Sequence, residues 1–178
     1  SKKDEYCFTN LALIHVDGDS AVSSKRMIKR YEYAAQRIGY VAIETAGTMD
    51  MDVELKFAIG ESAFSIDVKK SFIEQVKDIY KALIAIGRQQ VRDNVSRENA
   101  VRTLDAMSGM LKLNNLGGEA GVVSHYNAVL DNLNAAVLDR HTTRDYTRVF
   151  ERYIHNITTG SAPPPIPARL DRAWKLGA

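Results

Sequence analysis

An α+β fold is predicted for this 178-residue chain: an antiparallel strand meander, a helix packed after it, then a three-helix extension. Three observations predict it. Apolar and strand-prone residues dominate the first seventy positions with the alternation of strands. From about Lys70 the apolar period lengthens to 3.6, as in an amphipathic helix. Tight-turn residues, Asp17-Gly18-Asp19, Gly47-Thr48-Met49-Asp50 and Gly60-Glu61-Ser62, punctuate the first region at strand-length intervals.

The first strand is read as one run, Tyr6, Phe8, Leu11, Leu13, Ile14 and Val16, ending at Asp17-Gly18. A second, more polar strand covers about Val22 to Tyr33. A third runs from about Ile38 to Ala46, a fourth from Val53 to Ile59 and a fifth from Ala63 to Val68. Short turns between successive strands make an antiparallel meander. Phe72, Val76, Ile79, Leu83 and Ile86 then share one helical face, widened by Ile73, Tyr80 and Ile84. Gly87 and Asp93-Asn94 offer an end to that helix, and Ser96-Arg97-Glu98-Asn99 opens a second, carrying Val101, Leu104 and Leu111. Gly117-Gly118 breaks the chain before a third helix through Val122, Tyr126, Val129, Leu133 and Val137. Thr142 or Thr143 can cap a fourth, bearing Tyr146, Val149, Phe150, Tyr153 and Ile157. Pro163-Pro164-Pro165 lack amide donors and favour extended geometry, which sets 161–178 outside the core as a linker and tail. The expected organisation is therefore 1–93, a sheet domain with its closing helix; 94–160, the helical extension; and 161–178, the tail.

Composition narrows function. At 45% hydrophobic and 26% charged the chain is an ordinary globular protein. Its 24 Lys and Arg against 22 Asp and Glu leave a net charge of +2, and that excess comes from the tail, where Arg169, Arg172 and Lys175 face only Asp171. A duplex nucleic-acid binder needs a cationic footprint that neither folded region has. A single cysteine, Cys7, cannot form an internal disulfide, which fits a reducing, cytoplasmic setting. No apolar run approaches the roughly 20 residues of a membrane span, and Ser1-Lys2-Lys3-Asp4-Glu5 does not read as a signal peptide.

The strand region resembles the bacterial pleckstrin-homology (PH) domain family. The residues that carry the resemblance are Phe8-Thr9-Asn10-x-x-Leu13-Ile14-x-Val16-Asp17, then Tyr31-x-Tyr33, then the unbroken block Ile43-Glu44-Thr45-Ala46-Gly47-Thr48-Met49-Asp50-Met51-Asp52-Val53-Glu54-Leu55-Lys56. It covers roughly residues 5–85 and implies a curved antiparallel PH-like sheet, a partial barrel, capped by the helix from Ser71 to Leu83. It also implies helical extensions, in some members, that aid oligomerisation. The family pattern has sequence ahead of the Phe-Thr-Asn strand, so N-terminal strands are expected to be missing before Ser1.

Candidate chemistry is sparse. Lys25, Arg26, Lys29 and Arg30 form the densest basic stretch; in PH domains such residues near early strand loops bind anionic headgroups. A charged edge strand that discourages stray pairing accounts for them more simply. Asp50, Asp52 and Glu54 alternate, as hard oxygen ligands on one strand face would, yet a solvated outer face beside a turn gives the same pattern, and that reading is preferred. His15, His125, His141 and His155 include no i, i+4 pair and no cysteine partner at zinc spacing. Gly117-Gly118-x-x-Gly121 follows a helix and lacks a lysine, unlike a phosphate loop. Cys7, in an apolar strand, reads as an inert thiol. No metal, cofactor or catalytic constellation is therefore assigned.

Two functions remain. The first is a non-enzymatic, homo-oligomeric scaffold whose helical extension drives self-association, with Leu104, Leu111, Phe150, Tyr153 and Trp174 at interfaces. The alternative is a module binding a lipid or peptide through the basic strand or an open sheet edge. An enzyme is the weakest reading.

Overall fold

The computed structural model describes residues 4–18, 26–45, 52–113, 120–154 and 174–176. Among these residues, seven strands lie in two antiparallel sheets. The first contains β1 (Glu5–Phe8), β2 (Ala12–Val16), β3 (Ile28–Glu32) and β7 (Trp174–Leu176), in the order β3-β2-β1-β7. The second contains β4 (Ile38–Thr45), β5 (Val53–Ile59) and β6 (Ser62–Val68), in sequence order. Three helices follow: α1 (Ile73–Leu113), entered through a short turn at Lys70–Phe72, then α2 (Ala120–Arg140) and α3 (Thr147–Tyr153).

Alternation predicts β5 well. Val53, Leu55, Phe57 and Ile59 are all buried, and Phe64, Ile66 and Val68 of β6 continue the same layer. Val76, Ile79, Leu83 and Ile86 of α1 cover it at helical spacing.

Four sequence expectations need correction. The run Tyr6–Val16 is two strands, not one. Thr9 folds it into a hairpin: its N–H and its Oγ1 both donate to Ala12 O, at 3.0 and 2.8 Å, while Oγ1 accepts from the amides of Leu11 and Ala12. Phe8, Ala12 and Leu13 are buried on either side of this turn, so hydrophobicity runs through it and conceals it.

The helix from Ile73 does not end at Gly87 or Asp93-Asn94; it continues for 41 residues and absorbs the expected second helix. The residues read as stops bond elsewhere. Asn94 Nδ2 donates to Glu98 Oε1 along the helix, and Asp93 accepts from Gln89 Nε2 and Thr143 N. A side chain so engaged leaves its own backbone in the helix.

The last helix is not capped by Thr142 or Thr143. Asp145 Oδ1 accepts from Thr147 N at 2.7 Å and Thr147 Oγ1 at 2.6 Å, whereas Thr142 Oγ1 donates to Leu138 O at the end of α2.

The tail does not stand wholly outside the fold. Trp174–Leu176 pairs antiparallel with β1, Tyr6 opposite Leu176 and Phe8 opposite Trp174. The expected breaks at Gly47–Asp50, Gly117-Gly118 and the prolines fall outside the described residues.

The chain forms two compact units. One comprises Ser1–Arg88 with Arg144–Ala178; the other is Gln89–Thr143. The first takes in both sheets, the start of α1, and α3, whose Tyr146 and Phe150 join Phe8, Tyr33 and Leu83 in one core. The second unit is a helical hairpin. Asp93–Leu113 and α2 each contain 21 residues, about 30 Å of helix. At the far end Arg97 Nη1 meets His141 O and Thr142 Oγ1 at 3.3 and 3.2 Å. Equal lengths and this rejoining mean that α2 runs back along α1.

Candidate interaction surfaces

Two surfaces bear on function, one on each unit. The basic stretch is divided by strand geometry. Lys29 and Arg30 are consecutive in β3 and point to opposite faces of the sheet, and each has an acidic neighbour. Lys29 Nζ lies 3.4 Å from Asp17 Oδ2, Arg30 Nε 3.1 Å from Glu32 Oε1, and Arg26 Nη2 3.0 Å from Glu5 Oε1. Lys25 lies outside the described residues. Two apolar side chains beside them are open to solvent: Met27 is 58% and Ile28 70% exposed.

The carboxylate row has similar local partners. Glu54 accepts from the Ser65 hydroxyl and sits 3.2 Å from Lys56 Nζ, and these contacts hold its carboxyl below the usual range. Lys56 lies 2.7 Å from Glu44 as well, and the two carboxylates raise its ammonium above its ordinary value. Asp50 lies outside the described residues. Among the described residues no cluster of three or more His, Cys, Asp or Glu side chains is placed to share a metal ion.

A cluster that the sequence does not announce surrounds His15. Register places it opposite Tyr6, and the rings stack with centroids 4.5 Å apart and planes 5° from parallel. His15 Nε2 lies 3.4 Å from both Asp4 Oδ2 and Asp17 Oδ1. The Gly18 amide, at 2.5 Å, holds Asp4 below the ordinary carboxylate range. Burial, with the charge of Asp4, pushes the Tyr6 phenol up to about 12. The signal in the sequence is Asp4-x-Tyr6 set against His15-x-Asp17, legible only once the hairpin register is known.

The predicted interface residues separate. Phe150 is fully buried in the core of the first unit, and Tyr153 packs against that core, so α3 turns its apolar face inward rather than toward a partner. Leu104 is half-buried on α1. Leu111 and Trp174 are placed in α1 and β7, with side chains outside the described set.

The helical hairpin is different in kind. Among its described residues the sole buried side chain is Asp93. Burial acts to raise that carboxyl, but hydrogen bonds from Thr143 and Gln89 outweigh it and hold the group below its ordinary value. Val91, Val95, Met107 and Met110 on α1, and Val129, Leu133 and Leu138 on α2, are exposed. No helix among the described residues is long and apolar enough to cross a membrane.

Comparison with known proteins places this architecture. Residues 1–86 match the family model described as the bacterial PH domain. The uncharacterized protein YvbH of Bacillus subtilis (strain 168) is 41% identical over 159 residues, spanning 88% of this chain and 78% of that protein. A crystal structure of a PH-domain-containing bacterial protein from Exiguobacterium sibiricum 255-15 superposes with a TM-score of 0.73 at 40% identity, covering 87% of this chain and 82% of that one. Both likenesses extend well past residue 86, so they embrace the helical unit as well. The chain belongs to the bacterial PH domain family.

Proposed function

We propose that this protein is a non-enzymatic assembly module, in which a PH-like domain carries a helical hairpin that joins it to further copies of itself. The observation that carries this reading is the hairpin's lack of any buried apolar side chain among its described residues, with seven large apolar side chains in solvent. Two helices cannot enclose a core; helical bundles do so with more. Burying a large apolar side chain stabilises by about 1.5–3 kcal/mol, so covering even three of these contributes on the scale of a whole domain's stability. A second copy presents the same apolar surface and meets this need symmetrically.

Light scattering at micromolar concentration tests it. A mass that is a multiple of 19.8 kDa is expected; a mass of 19.8 kDa at every concentration would overturn the reading.

Exposed Met27 and Ile28 beside Lys29 and Arg30 favour a second reading, a module that binds an anionic surface at the outer edge of β3. Co-sedimentation with vesicles containing anionic lipid, set against neutral vesicles, tests this alternative. The ion pairs to Asp17, Glu32 and Glu5 weigh against it.

A further inference from the structure

We propose that the outer edge of β1 is a strand-exchange site, occupied by the 174–176 segment of a second copy of this chain as well as by the chain's own. The inference rests on the self-association reading above, since neighbouring copies supply the exchanging segment at high effective concentration.

Three features converge on it. The first is brevity. β7 has three residues, with Tyr6, Cys7 and Phe8 as its register partners, whereas β2 meets β1 over four and is tied to it by the Thr9 turn. A three-residue ladder forms few bonds and releases readily.

The second is the tether. Twenty residues, 154–173, separate the end of α3 from β7. Fully extended, such a length spans up to about 70 Å, so covalent reach does not confine the strand to its own sheet. Loop-closure entropy grows only slowly with length, so intrachain pairing keeps a high effective concentration, and exchange needs neighbours that an assembly holds at a comparable one. Pro163, Pro164, Pro165 and Pro167 have no amide hydrogen to give to a ladder.

The third is chemical matching. Trp174 stands opposite Phe8 and Leu176 opposite Tyr6. An exchanged strand from an identical chain makes the same pairs, so the swapped and closed forms differ only in connectivity. With β7 released, β1 would present unpaired amides and carbonyls, which makes an empty edge unfavourable and an exchanged occupant favourable.

The register supplies its own test. Lys175 lies directly opposite Cys7, the single cysteine of the chain. Directly opposed residues of antiparallel strands have Cα atoms about 4.5–5.5 Å apart, within disulfide range. K175C alone should therefore form an intrachain disulfide on treatment with diamide. For exchange, a C7S/K175C chain is incubated with the unaltered chain, oxidised, and analysed on a non-reducing gel with peptide mapping. A C7S/A168C chain, with its thiol on the same tail before the strand, is the collision control. The expected result is a mixed dimer, joining Cys7 of the unaltered chain to the thiol introduced by K175C in the other, at roughly tenfold the yield of the control, because disulfide formation demands close Cβ approach. An intrachain disulfide in K175C without a mixed dimer above control would overturn exchange. Absence of both products would overturn the β1–β7 pairing as well. Light scattering on the same samples separates the two readings: an assembled protein without mixed dimer overturns exchange alone, and a 19.8 kDa monomer without it overturns both. A mixed dimer supports exchange whatever the starting mass.

Discussion

Asn10 Nδ2 donates to Asp145 Oδ1 at 3.0 Å across 135 positions of sequence. Beside it, the Tyr146 amide donates to Asn10 O at 2.9 Å. These bonds pin the segment after the helical hairpin to the first turn of the sheet domain. The same Asp145 oxygen also accepts from the Thr147 amide and hydroxyl, so one carboxylate both starts α3 and docks it. Tyr146 and Phe150 then enter the core, Tyr146 edge-on to Tyr33 with ring centroids 5.8 Å apart.

Asp145→Ala should destabilise the protein by about 1–3 kcal/mol, since it removes a helix-start acceptor and leaves Asn10 Nδ2 without this partner. Asn10→Ala alone should cost less. A double-mutant cycle by urea unfolding should show a coupling of at least about 0.5 kcal/mol; strict additivity would deny the link.

Phe150→Ala should lower stability by about 3–5 kcal/mol through the cavity it leaves. Its signature is a reduced Tm with the mass in solution unchanged, because the side chain serves the chain's own core. Dissociation without loss of Tm would contradict that placement.

A chain ending at Arg88 lacks Tyr146 and Phe150 and should bind hydrophobic dyes and unfold without a cooperative transition. The family match ends at residue 86, but the core of the first unit does not. Cooperative unfolding of the 1–88 fragment would show α3 to be dispensable.

On the hairpin, Met110→Lys with Leu133→Lys should lower the mass in solution while leaving far-UV circular dichroism unchanged. Both side chains are exposed, Met110 by 65% and Leu133 by 44%. An unaltered mass would exclude these two positions from the proposed contact between copies.

Asp93 predicts an acid limb. Its carboxyl is held below its ordinary value when folded, so the unfolded state binds the proton more readily. Its contribution is therefore present above the unfolded pKa, about 3.9, and is lost as pH falls through the folded value. Urea unfolding between pH 6 and 3 should show this loss of stability, and Asp93→Asn should flatten it. An unchanged pH profile in the variant would remove Asp93 as the cause.

Much of the fold is legible in the sequence. Period-2 alternation places β5 within its observed bounds and β6 within one residue, because each strand has one buried face and one wet face and the pattern records that contrast. The period change near Lys70 locates α1 for the same reason. The apolar richness of the hairpin is legible too, since Val129 and Leu133 stand out on any helical projection of that segment.

What composition and periodicity could not decide was which apolar face meets which. The α3 face of Tyr146, Phe150 and Tyr153 and the hairpin face of Val129 and Leu133 look alike as sequence, yet the first is buried in the sheet domain and the second is exposed. The difference lies in Asn10 and Asp145, whose contact spans 135 positions and leaves no local trace. The His15 cluster depends on strand register in the same way. The Thr9 turn hid inside a continuous apolar run, and the α1 stop signals failed because Asp93 and Asn94 had other partners. Local sequence determines which backbone states are cheap, and hence the strands, helices and apolar faces. Pairings between distant residues, whose energy exists only once the chain has closed on itself, decided where those faces went.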